Sequence, residues 1–191
     1  MRVRVAELTR ETWPALEKLF GPNGADGGCW CMFFRLPGAE WKRDMYEPNK
    51  KSLRALARSD EPVGLLAFDG DDPVGWVAVA PRAVYRRLER SQVAKPADPD
   101  EDLADVWSVT CFFIHRTARR SGVAALLLDE AVRFAFDRGA RVVEGYPVDT
   151  GGERKSSSEL YHGTLSQFLA AGFEVVDRRG VRRALVRKGM Q

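Results

Sequence analysis

Polar and apolar residues alternate at period two from Arg2 to Leu8, the pattern of a half-buried strand. Helical spacing follows from Thr9 to Gly21. Thr9 or Thr12 can cap that helix, Pro14 fits its first turn and Gly21 ends it. A glycine-rich loop runs from Gly21 to Gly28, and the aromatic stretch Cys29 to Trp41 predicts no single element. Leu53, Leu56 and Ala57 recur at helical spacing and predict a second helix over Pro48 to Ser59. Two apolar runs, Val63 to Phe68 and Val74 to Ala80, flank the turn sequence DGDDP and predict a hairpin. Pro81 to Ser91 predicts a short basic helix, and the Pro- and Asp-rich Gln92 to Asp105 a surface loop. Val106 to Ile114 is dense in β-branched and aromatic residues, as a buried central strand requires.

Beyond that strand the period returns to helical. Val123, Leu127, Ala131 and Phe134 form one stripe, and Gly139 is placed to end the helix. Arg141 to Tyr146 predicts a strand. Ser156 to Gly172 predicts a helix that Gly163 weakens, and Phe173 to Arg187 closes the chain as a hairpin. The element order implies an α/β fold in one domain: a mixed twisted sheet of about seven strands flanked by about four helices.

Composition narrows the function classes. A chain of 191 residues with 45% hydrophobic residues can build one sizeable core. Its net charge of +3 suits an anionic small molecule and does not predict nucleic-acid binding. No apolar run reaches the ~18 residues of a membrane span, and the N-terminus lacks a secretory apolar core, so a cytoplasmic protein without a membrane partner is expected. The excess of arginine over lysine, with frequent alanine and valine, suggests a GC-rich bacterial genome. Three cysteines do not make a disulfide framework. Cys29 and Cys31 lack the second ligand pair that zinc needs, so no metal is expected.

The chemistry concentrates in RRSGVA, Arg119 to Ala124, where the central strand gives way to the long helix. A helix N-terminus presents free N–H groups and partial positive charge, and glycine lets a phosphate approach the backbone. Arg119 and Arg120 add full charges, and Ser121 offers a hydroxyl or a cap ahead of Gly122. Those residues form a pyrophosphate cradle in chemical terms. Glu144 is an ionisable group in an otherwise apolar strand: burial would suit it to base duty, and a solvent-facing position is the other reading. Trp30, Phe33, Phe34 and Trp41 either wall a pocket for a flat or cationic ligand or pack the N-terminal helices on the sheet. Arg86 to Arg90 either meets an anion or is a solvated face. Cys111 reads as a small buried hydrophobe, and His115 and His162 as surface or loop residues.

FFIHRTARRSGVAALLLDEAVRFAFDRGA resembles the acetyl-CoA-binding motif of the GNAT N-acetyltransferase superfamily, with Arg119, Gly122 and Ala124 filling its [R/Q]-x-x-G-x-[G/A] pattern. LSQFLAAGFEVV resembles the helix and strand that end that family's core. The resemblance implies a single acyltransferase domain over the whole chain, with a CoA-binding core at 105–178 and a variable acceptor-side region at 1–60. It implies acetyl-CoA as co-substrate, held along Arg119, Arg120, Ser121, Gly122, Val123 and Ala124, and direct attack by a primary amine. It further implies that backbone N–H groups of Phe112, Phe113 and Ile114 hold the thioester carbonyl and pantetheine arm. The positions where several relatives carry a Glu or His as base are Ser108 and Thr110 here, which can order a water, and period two puts them on one face with Phe112. The family's usual acid, a tyrosine, is replaced by Phe168. Tyr161, seven residues earlier on the same predicted helix, is placed to contact CoA or to protonate its thiolate. The resemblance leaves the acceptor open, allows a homodimer, and leaves a CoA-sensing module without transfer as the alternative.

Overall fold

The structure is a computed structural model that describes residues 3–156 and 158–190. Seven strands form one mixed sheet in the order β1-β2-β3-β4-β5-β7-β6. They are β1 (Val3–Glu7), β2 (Gly64–Asp69), β3 (Asp72–Pro81), β4 (Val106–Ile114), β5 (Val142–Gly145), β6 (Glu174–Arg179) and β7 (Arg183–Gly189). Every pairing is antiparallel except β4 with β5. Five α-helices flank the sheet: α1 (Trp13–Phe20), α2 (Gly38–Arg43), α3 (Glu47–Leu56), α4 (Val123–Asp137) and α5 (Leu165–Ala170).

The amphipathic α4 packs on one face, where Val123, Leu127, Leu128 and Ala131 meet Val77, Val79, Val109 and Val143. On the other face, α1, α3 and the aromatic segment cover Leu66, Trp76 and Ala78. A third cluster on that face joins Phe34, Tyr85, Leu88, Tyr146 and Leu185, with Phe33 and Tyr161 against it.

Two features open the sheet at its centre. The parallel ladder between β4 and β5 runs only from Val106↔Val142 to Val109↔Gly145, after which β4 continues to Ile114. Within β4, Ala78 pairs with Cys111 but Val79 pairs with Val109, so Thr110 is the extra residue of a β-bulge. The bulge reverses the alternation. Phe112 therefore joins Val109 on the α4 face, while Cys111 and Phe113 pack on the other face. The expectation that Ser108, Thr110 and Phe112 share a face fails for this reason.

Two predicted helices also change. The basic Pro81 to Ser91 stretch forms two short 3-10 turns, Arg82–Val84 and Arg86–Arg90. The helix expected from Ser156 shrinks to the six residues of α5. Gly163 takes φ 76°, and Thr164 caps the shorter helix by accepting from Gln167 N at 3.3 Å. Tyr161 thus lies in a turn and not on a helical face with Phe168. Ser157 of that predicted helix lies outside the described residues.

Candidate active site

The loop after β4 delivers an anion-binding helix terminus. Gly122 is the N-cap of α4 at φ 85°, and no side chain caps the helix. The first helical bond runs from Leu126 N to Gly122 O, so the amides of Val123, Ala124 and Ala125 find no partner within the helix. They face a cleft of about 240 Å³ lined by Ile114, Arg119, Arg120, Gly122, Ala124 and Gln167. Both arginines are exposed at its mouth, and Arg119 Nε donates to Ile114 O at 3.3 Å. Ser121 departs from its expected part. Its hydroxyl donates back to Ala118 O at 2.6 Å, so it neither caps α4 nor lines the cleft. Gln167, which the sequence did not single out, donates to Ala124 O at 2.8 Å and ties α5 to the first turn of α4.

The opening between β4 and β5 adjoins this cleft. His115 N bonds back to Val74 O, whereas Phe112 N points the other way and donates to Tyr161 O at 2.6 Å. Alternation along the strand directs the Ile114 N–H with that of Phe112, toward the opening, and the Phe113 N–H toward β3. Phe168 is 0% exposed and stacks edge-on against Phe112 and Phe173. Phe168, at the place of the family's tyrosine acid and expected beside the cofactor, is a core residue in this structure.

Tyr161 is half-buried beside Phe34 and His162, with ring centroids 6.5 and 4.1 Å away. Burial raises the pKa of its phenol, so the hydroxyl keeps its proton at neutral pH. His162 lies in the same turn but is 5% exposed, which keeps its loop reading and removes its surface one. Burial pushes its pKa down to about 3, which keeps the ring neutral, and its Nδ1 has no partner. His115 stays at the loop surface, bonded to Thr117 at 2.8 Å.

Glu144 is fully buried, which rules out its solvent-facing reading. Tyr146 donates to its Oε1 at 2.5 Å, Arg82 Nε stands 3.3 Å from the same oxygen, and Arg187 Nε donates to Oε2 at 3.0 Å. Ser108 lies 2.8 Å from the Tyr146 hydroxyl. Arg187 also reaches Glu101 at 2.5 Å. Two carboxylates and two guanidiniums balance in this knot, and burial followed by the Glu144 charge lifts the Tyr146 phenol well above its usual range. The arrangement fixes the strands and leaves Glu144 and Ser108 no access to a substrate. Thr110, 1% exposed, is closed off in the bulge.

The aromatic segment also resolves. Trp30 packs between Trp13 and Phe20 in the core, whereas Phe33 and Trp41 form a ledge under Arg87, whose guanidinium lies 3.8 Å from the Phe33 centroid. Cys31 Sγ accepts from Trp76 Nε1 at 3.2 Å and lies 3.9 Å from Cys111 Sγ. The contact with Cys111 and burial push the Cys31 thiol up, and burial pushes Cys29 up to about 11, so both stay protonated and unreactive. Cys111 is only partly buried. Among the described residues no group of three or more His, Cys, Asp or Glu could hold a metal ion, and no helix is long and apolar enough to cross a membrane.

Comparison with known proteins gives the same architecture. Residues 28–154 match the family described as "Acetyltransferase (GNAT) family". The structure is similar to the PaiA N-acetyltransferase of Thermoplasma acidophilum in complex with coenzyme A, at 15% identity and TM-score 0.55 over 100% of both chains. It is similar to a GCN5-related N-acetyltransferase from Kribbella flavida, at 16% identity and TM-score 0.56 over 98% of both chains. It is also similar to the ribosomal-protein-alanine N-acetyltransferase of Brucella melitensis, at 17% identity and TM-score 0.53 over 98% of this chain and 99% of that one. No curated protein sequence matches the chain.

Proposed function

Because the chain belongs to the acetyltransferase (GNAT) family, we propose that it transfers an acetyl or other short acyl group from acetyl-CoA to a primary amine by direct attack. The observation that carries this reading is the uncapped terminus of α4, whose free amides meet Arg119, Arg120 and the end of β4 in one cleft. In this reading, Gly122, Val123 and Ala124 offer backbone N–H groups to the pyrophosphate while Arg119 and Arg120 neutralise it. Ile114 and Phe112 turn their N–H groups toward the opening, where a thioester carbonyl gains most from donors as its oxygen becomes negative. Phe112 reaches that position only when the Tyr161 carbonyl releases it.

Tyr161 supplies the proton for the leaving thiolate. Burial holds the Tyr161 phenol above its ordinary range, so at neutral pH the residue carries a proton that it can share with the sulfur as the C–S bond breaks. His162 accepts a hydrogen bond at Nδ1 and positions a water that carries the ammonium proton away. It is too weakly basic to hold that proton itself. The alternative, a CoA-sensing module without transfer, is favoured by one observation, the closure of the Phe112 N–H by Tyr161.

Acetyl-CoA titration by calorimetry tests the cradle. Gly122→Glu sets a carboxylate against the phosphates and should weaken binding by about a hundredfold or more. The position has open space around a Cβ, but at φ 85° any side chain strains the loop; measured against Gly122→Ala, which carries that strain without the charge, further loss of binding with an unchanged circular dichroism spectrum in Gly122→Glu supports the assignment. Wild-type affinity in that variant overturns it.

A further inference from the structure

Three arginines around the third aromatic cluster have no carboxylate partner among the described residues. Arg35 is 7% exposed, lies over the Tyr85 ring at 5.1 Å and donates only to the Pro62 carbonyl, at 3.2 Å. Arg87 lies over Phe33 and donates to Leu36 O at 3.4 Å, while its Nη2 is buried without a partner. Arg183, on β7, donates from Nη2 to Tyr146 O at 2.8 Å, while its Nε is buried without a partner. Buried guanidinium donors left unpaired cost folding energy, and burial lowers the pKa of both Arg87 and Arg183 accordingly. Arg87 lies on Phe33, whose neighbour Phe34 is 6.5 Å from the Tyr161 ring, and Arg183 pairs with Val148, which also bridges Thr164, so both stand near the turn that carries Tyr161. The α4 terminus, with its own two arginines, lies on the other face of the sheet. The phosphates of CoA are therefore provided for without Arg35, Arg87 or Arg183.

We propose that Arg87 and Arg183, backed by Arg35, bind an acidic group of the acceptor, so that the substrate is an amine that also carries a carboxylate or phosphonate. Each arginine keeps one donor unpaired, Arg87 Nη2 and Arg183 Nε, so an anion reaching both would take a charge-assisted hydrogen bond from each. The Phe33 and Trp41 rings beneath Arg87 hold its plane in place. This inference rests on the acyl-transfer reading for the site's location and deepens it by naming the acceptor class.

The test uses the full chain and pairs of primary amines, each an amino acid and its carboxamide. Thiol release from acetyl-CoA and binding to the CoA-saturated protein are both measured. The acid should be preferred in kcat/KM by about tenfold or more, because an amide leaves the buried donors unpaired. Arg183→Gln and Arg87→Gln should each reduce that preference to within about twofold without changing acetyl-CoA affinity, and Arg183→Lys, which keeps the charge, should retain part of it. Equal use of acid and amide, or a preference for the amide, overturns the proposal. Loss of acetyl-CoA affinity in both glutamine variants also overturns it, because the arginines then serve the phosphates. If no amine releases thiol, binding decides. Acid-selective binding that Arg183→Gln removes keeps the anion site while the transfer reading falls, and absence of such binding overturns the site as well.

Discussion

Two sets of buried and half-buried arginines share one face of the sheet and differ in what stands opposite them. Arg82 and Arg187 meet Glu144 and Glu101, and the four charges cancel inside a hydrogen-bonded knot with Tyr146. Arg35, Arg87 and Arg183, around the neighbouring aromatics, meet only carbonyls and ring faces. The first set balances its charge within the protein, although Arg187 Nη2, 2.9 Å from Glu144 Oε2, makes no hydrogen bond. The second has donors to spare, and it adjoins the gap where β4 and β5 part. Burial of an ionisable residue therefore does not mark a reactive site by itself. Glu144 is the most buried acid of the sheet and serves architecture, while half-buried Tyr161, with its hydroxyl near unpaired cations, is where chemistry is placed.

Breaking the knot should give the largest effect. Arg82→Met leaves Glu144 partly unpaired and should destabilise the fold by about 3–5 kcal/mol, read by urea denaturation. Arg35→Met removes a cation with no carboxylate and should cost less than about 1 kcal/mol or add stability. Equal losses for the two would erase the distinction. Tyr161→Phe should come next, lowering kcat about a hundredfold while acetyl-CoA affinity holds, as removal of a proton donor requires. An unchanged kcat would take Tyr161 out of the chemistry.

The effect spread over the widest range of conditions is a pH slope. The folded pKa of His162 lies near 3 against about 6.5 unfolded, so the unfolded chain binds the extra proton between these values. Stability from this residue is complete above pH 6.5 and is lost as pH falls toward 3, at up to about 1.4 kcal/mol per unit. His162→Phe should flatten that part of the profile of melting temperature against pH, and an unchanged slope would assign the acid loss to other groups.

The cradle was legible because its parts are adjacent: a strand, two arginines, a glycine and a helix lie within about thirty residues, and local rules govern each. The order of elements along the chain followed the same logic. What the sequence hid was non-local or was decided by one residue. The bulge at Thr110 leaves no periodic trace, yet it turns Phe112 to the other face. Gly163, read as a weak point inside a helix, instead prevents the helix and sets Tyr161 in a turn beside β4. The other charges of the Glu144 knot lie at positions 82, 101 and 187, and the unpaired set draws on positions 35, 87 and 183. Such groupings exist only once the sheet has formed.

The most direct test of the account is free-thiol release from acetyl-CoA by the wild-type chain across a panel of primary amines, with Gly122→Glu as the paired control. The account predicts release with one class of amine and none in the variant. Tight acetyl-CoA binding without thiol release from any amine would contradict it and identify the chain as a CoA-sensing module.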